Sequence, residues 1–127
     1  MSELIRSFRD LRVYQEMFAL QQEIFTLSKR WPREEQYALT DQVRRSSRSM
    51  GSNIAESWAK RRYPAHFVSK LTDADGETQE TSHWLATAMA CGYISTPEQS
   101  ALQFQLDSIG GKIGRMISKP ETFVPKI

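Results

Sequence analysis

Between its prolines and glycines, the chain repeats apolar residues at steps of three and four, and this spacing constrains the fold more than any other feature. Alternation would mark a strand, whereas steps of three and four return side chains to one face of an α-helix. Over residues 10–30, Val13, Met17, Leu20, Ile24 and Leu27 follow such steps, with Trp31 next in the series. Tyr14, Phe18 and Phe25 form a second stripe beside them, so this first helix is expected to pack on two sides. Trp31-Pro32 ends it, because proline donates no amide hydrogen bond and biases its predecessor away from helical angles.

After a short turn at Arg33-Glu34-Glu35, a second helix is predicted over 40–62. Thr40 is its expected N-cap, with Asp41 in the first turn, where a carboxylate suits the helix dipole. Leu39, Val43, Met50, Ile54 and Trp58 share the inner face with Ser46, Asn53 and Ser57, which predicts tight or partly polar packing. Tyr63-Pro64 makes the next break. A third helix follows over 65–91, with Phe67, Leu71, Ala74, Thr78, Thr81, Leu85 and Ala88 in heptad register and Gly92 as its C-cap. The fourth, 97–118, starts with Thr96 capping and Pro97 in the first turn. Its inner residues are Leu102, Leu106, Ile109, Ile113 and Met116. Gly110, Gly111 and Gly114 each weaken it by about 1 kcal/mol relative to alanine, a cost that predicts close backbone approach. Four amphipathic helices with short links predict an all-α, antiparallel, up-down-up-down four-helix bundle. It forms a single domain over 1–127, with 1–8 and 119–127 as loose tails.

The 127 residues suffice for one core, and 39% hydrophobic with 25% charged residues suits a folded chain rather than a disordered one. No apolar run is long enough to cross a bilayer, and MSELIRSFRD lacks the apolar stretch of a signal peptide, so a cytoplasmic protein without a membrane partner is expected. The single cysteine, Cys91, excludes an intramolecular disulfide and leaves too few thiolates for structural zinc; it reads as a small apolar residue near a helix end.

The formal charge of +2 decides little, but its distribution is uneven. Residues 40–62 carry Arg44, Arg45, Arg48, Lys60, Arg61 and Arg62 against Asp41 and Glu56, while 63–95 carry Asp73, Asp75, Glu77 and Glu80 against Lys70. Helical rotation puts Arg44, Arg45 and Arg48 within about 100° of one another, opposite Val43, Met50 and Ile54, so they are expected to point outward. Guanidinium forks fit phosphate oxygens and stack on bases, which makes this patch the candidate contact for RNA or DNA. The competing reading pairs the same arginines with acids of the third helix or of a neighbouring subunit. Lys60-Arg61-Arg62 extends the basic surface, although cations also suit a helix C-terminus.

Asp73, Glu77 and Glu80 share a face that leads to Trp84, and Glu80 with His83 forms a Glu-x-x-His sequence of the di-iron type. Such a centre needs a second pair, but the other histidine, His66, has Tyr63 three residues before it. No metal or other cofactor is therefore expected. A glycine-framed serine and a phosphate-cradling glycine loop are both missing from the sequence, so no catalytic residue is assigned and no enzyme is expected. Asn53 and Glu56 are polar on or near a packed helix and are expected to set register or orientation through buried hydrogen bonds.

These motifs also resemble a known family. Asp10-Leu11, Tyr14-Gln15, Pro32 and Glu35 are followed by Leu39, Thr40, Gln42, Arg44, Arg45, Asn53, Ile54, Ala55 and Glu56, and then by Ala74, Gly76 and Glu80. In this order and spacing they resemble the four-helix-bundle proteins encoded in bacterial 23S rRNA intervening sequences. The likeness spans about residues 8–118 and is most specific in helix two; Ser57 and Glu77 depart from the common glycine and serine. It implies a homo-oligomer, typically a homopentamer, associated with ribosomal or other RNA, and it makes Gln42, Asn53, Glu56, Gly76 and Glu80 family-motif residues. Related bundles serve as accessory proteins of diversity-generating retroelements, which extends the implied partners to nucleic-acid complexes. Another protein as partner stays open.

Overall fold

The computed structural model describes residues 5–123. The first seam becomes α1, Arg12–Ser28, which buries Val13, Met17, Leu20 and Ile24. Helices α2 (Asp41–Ala59), α3 (Pro64–Ala90) and α4 (Thr96–Ser118) follow, and no strand occurs among the described residues. Side-chain pairs fix the directions. Along α1, Glu16 meets Lys112 at 2.7 Å and Glu23 meets Gln105 at 3.0 Å; just beyond its end, Arg30 meets Glu98 at 2.9 Å, so α1 and α4 run antiparallel. Arg45 with Glu77 and Glu56 with Lys70 set α2 against α3 the same way, and Ser82 with Gln103 ties α3 to α4. The α1–α4 and α2–α3 pairs are therefore antiparallel, and the apolar faces of the four helices meet in one core that includes Met17, Met50, Phe67 and Ile109.

Where α2 meets α3, small hydroxyl residues replace large apolar ones. Ser46, Ser57, Thr78 and Thr81 are buried, and the Ser46 and Thr81 hydroxyls hydrogen-bond across the interface at 2.9 Å. Ser57 and Thr78 donate to carbonyls of their own helices, and one hydroxyl of the Ser46–Thr81 pair donates to the other, which in turn donates to a carbonyl of its own helix, so the buried oxygens are satisfied without bulk. Asn53 does not supply the expected interhelical bond: it sits at the half-buried edge, and its amide donates to the Ser49 carbonyl of its own helix at 2.9 Å. Glu56 is exposed and reaches α3 through Lys70 instead, an ion pair that holds its carboxyl below the usual range.

Several boundaries differ from the sequence reading. Residues Gln36–Thr40 form a π-helical turn, so Thr40 enters α2 already at helical angles, and its buried side chain caps nothing. Ser95, not Thr96, caps α4, because Ser95 has extended angles: its hydroxyl accepts from the Glu98 amide at 3.1 Å, while the Glu98 carboxylate accepts from the Ser95 amide at 2.9 Å. Helix α2 stops at Ala59, and the Arg61 guanidinium donates to the Trp58 carbonyl at 2.8 Å. Gly92 takes φ +79° after α3 as expected, beside an exposed Cys91.

The expected close approach at Gly110, Gly111 and Gly114 is not found, since a methyl group there would meet no other element. Gly51 is the crowded glycine instead: a Cβ would lie 3.3 Å from the Tyr14 ring, where α1 and α2 draw together. Both predicted tails are partly folded. Ser7 caps a turn over Phe8–Asp10, where the amides of Arg6 and Ser7 hold the Asp10 carboxyl below its ordinary value. After α4, the turn Pro120–Thr122 brings the Phe123 ring to 6.0 Å from Phe67. The remainder of those predicted tails, 1–4 and 124–127, lies outside the described residues.

Tyr93 closes the end of the bundle near the α3–α4 link. Its hydroxyl donates to Glu35 at 2.9 Å, and that hydrogen bond to a carboxylate, followed by burial, pushes its pKa up to about 12. The folded state thus holds a proton that the unfolded state releases near pH 10. Stability from this contact is complete below pH 10 and falls as pH rises toward 12. Thermal unfolding followed by circular dichroism is expected to show a steeper alkaline loss in the wild type than in Tyr93→Phe; identical slopes would contradict the assignment.

Candidate nucleic-acid interface

The two long edges of α2 differ in charge balance. Toward α3, Arg45 bonds the carboxylates of Glu77 and Glu80, and these partners hold its pKa above the ordinary arginine value. Glu80 also accepts from the Trp84 indole at 3.1 Å, and Lys70 bridges Glu56 and Asp73. The acidic stripe of α3 is therefore largely engaged with cations of this chain.

Toward α1 the balance is different. Phe25, half-buried on α1, carries the Arg44 guanidinium 4.7 Å from its ring centre, the Arg48 guanidinium at 5.4 Å and the Lys29 ammonium at 4.6 Å. Among the described residues, no carboxylate lies within ion-pair distance of Lys29, Arg44 or Arg48. One ring offers each cation about 0.5–1 kcal/mol at such a site, and it does nothing to cancel their mutual repulsion. The result is a concentration of positive charge at a groove also lined by Asp41, Ser49, Ser52 and the α3-paired Arg45.

Arg48 is exposed, as expected. Arg44 corrects the expectation that it points outward: its Nε donates to the Ser28 hydroxyl at 2.8 Å, which lays the side chain half-buried across the α1–α2 seam. This bond uses one of its five N–H donors and leaves the rest of the fork for an anion. At the far end of α2, Lys60 and Arg62 are exposed, whereas Arg61 is half-buried over the Trp58 ring at 3.9 Å.

The family-motif residues divide too. Asn53, Gly76 and Glu80 line one shallow groove between α2 and α3 with Thr72, Asp73 and Glu77. Gln42 lies half-buried on α2 and takes no part in it. No group of three or more His, Cys, Asp or Glu side chains that could hold a metal occurs among the described residues, and no helix there is long and apolar enough to cross a membrane.

Phe25 and Lys29 are the residues that sequence reasoning missed as part of a binding surface. Their signal was present in the four-residue spacing, which stacks an ammonium on an aromatic ring one helical turn away. A family model described as 23S rRNA-intervening sequence protein matches residues 9–115. A crystal structure from Bacteroides thetaiotaomicron VPI-5482, described as a protein with unknown function from the S23 ribosomal protein family, superposes with a TM-score of 0.75 at 25% identity, covering 84% of this chain and 95% of that one. No curated protein matches the chain.

Proposed function

The chain belongs to the 23S rRNA-intervening sequence protein family, and on that premise we propose that it is a non-enzymatic, oligomeric bundle of the cytoplasm that binds RNA or DNA along its α1–α2 edge. What carries this reading is the trio Lys29, Arg44 and Arg48, gathered around Phe25 with no carboxylate in ion-pair contact among the described residues. A polyanion relieves their repulsion, and arginine forks match phosphate geometry. Lys60 and Arg62 extend the same helix with exposed cations. The homopentamer implied by family resemblance would repeat a weak site around a ring and turn it into an avid one. A protein scaffold whose arginines form subunit salt bridges is the second reading; Arg45, already engaged by Glu77 and Glu80 of its own chain, shows that an arginine of α2 can serve in ion pairs instead of phosphate contacts.

Salt separates the two. Phosphate binding releases counterions, so the logarithm of the binding constant should fall linearly with the logarithm of salt, by about 0.7 per neutralised phosphate on a single strand and about 0.9 on a duplex. Three cations per protomer predict a slope of about −2 or steeper in fluorescence anisotropy with labelled RNA and DNA. Flat or undetectable binding at low salt would favour the scaffold. Sedimentation equilibrium on the same sample measures the oligomer.

A further inference from the structure

Phe18 stands on the same side of α1 as Tyr14 and Phe25, with 47% of its surface exposed. Its ring centre lies 6.2 Å from that of Tyr14, which receives Phe8 edge-on at 4.8 Å, with the Arg9 guanidinium 4.5 Å from the Phe8 centre. Two helical turns separate Phe18 from Phe25, about 10 Å along the axis. The α2 wall beside them is low, because Gly51 meets Tyr14 and short serines, Ser49 and Ser52, adjoin Arg44 and Arg48. An exposed aromatic ring and a cationic cluster with no ion-pair partner among the described residues thus follow one another along one side of α1, with a second cation at Arg9.

Phosphate contacts alone would give no preference for a single strand, because a duplex carries the denser charge and releases more counterions per contact. An exposed ring beside them would, since a duplex keeps its base faces covered while a single strand can lay one on an aromatic side chain. Resting on the nucleic-acid reading above, we infer that the α1–α2 groove takes a single strand: a base stacks on Phe18 while neighbouring phosphates lie against Arg44, Arg48 and Lys29. Stacking is tolerant of base identity, so the groove discriminates strandedness more than sequence.

The test uses the full chain and fluorescence anisotropy with one RNA sequence, offered single-stranded and as a duplex of equal length at fixed salt. The wild type is expected to prefer the single strand. Phe18→Ala should lower single-strand affinity about tenfold, as loss of one stacked base does, and leave duplex affinity within about twofold. Phe18→Trp should restore the preference, whereas Phe18→Leu, equally apolar without an aromatic face, should not. Equal effects of Phe18→Ala on both nucleic acids, or none on either, would overturn stacking while leaving phosphate binding standing if Arg44→Ala with Arg48→Ala still weakens both. A lowered sedimenting mass in Phe18→Ala, with unchanged single-strand affinity per protomer, would mean that a second copy covers the ring and would also overturn it. Absence of binding to any oligonucleotide by the wild type would sink both readings.

Discussion

Substituting Arg44 and Arg48 together by alanine is expected to weaken RNA binding by tenfold or more and to shallow the salt slope by about 1.4 on a single strand, whereas Arg45→Ala should change affinity by less than about threefold. The contrast follows from what each guanidinium touches. Arg45 spends its donors on Glu77 and Glu80, so a phosphate would have to compete with two carboxylates already in place. Arg44 and Arg48 meet only an aromatic ring and, for Arg44, a serine hydroxyl. Hydrogen bonds to charged groups are worth about 1.5–3 kcal/mol, and screening at this open edge brings each phosphate contact toward the lower end or below it. Two such losses still amount to at least tenfold. Unfolding midpoints must be measured alongside, because Arg44 also links α1 to α2 through Ser28. If Arg45→Ala proved as damaging as the double variant while both proteins stayed folded, the distinction between the two edges of α2 would fail.

That distinction shows what a one-dimensional reading resolves. Helical spacing placed all four helices, because periodicity is local and the core faces obey it: Val13, Met17, Val43, Phe67, Leu102 and Ile109 are all buried as their positions imply. It could not rank Arg44, Arg45 and Arg48, since neutralisation depends on register between helices. Arg45 faces Glu77 and Glu80 across 32 and 35 residues of sequence, whereas Arg44 faces Phe25 and Ser28. The aromatic stripe of Tyr14, Phe18 and Phe25 was visible as a second apolar face, yet its role as a platform for cations required α2 beside it. Glycine was misread for the same reason. A glycine in a helix marks either close approach or mere tolerance, and only the neighbouring helix distinguishes Gly51 from Gly110 and Gly114. The caps at Thr40 and Thr96 failed more locally, because a π turn before α2 and the extended angles of Ser95 shifted which residue stood at each helix start.

Phe67→Ala should be the most destabilising of the substitutions considered, by about 3–5 kcal/mol in denaturant unfolding, which for a domain of this size is a large share of the total. Phe67 is fully buried in the first turns of α3, and its truncation leaves a void that surrounding side chains from packed helices can fill only partly. Its neighbour Phe123 lies beyond α4, in a stretch whose sequence alone predicts a loose tail. Phe123 is only half-buried, so Phe123→Ala should cost less, about 1–2 kcal/mol, mostly from lost apolar cover. If the C-terminal turn is docked on α3, the two losses should not add. Aromatic pairs carry about 0.5–1.5 kcal/mol beyond their buried area, and the double variant should fall short of the sum by about that amount. Strict additivity would mean that the turn contributes cover without a specific contact. A negligible effect of Phe123→Ala would undo the docking of this end, and the turn would then revert to the unpacked tail that its polar, proline-marked sequence suggests.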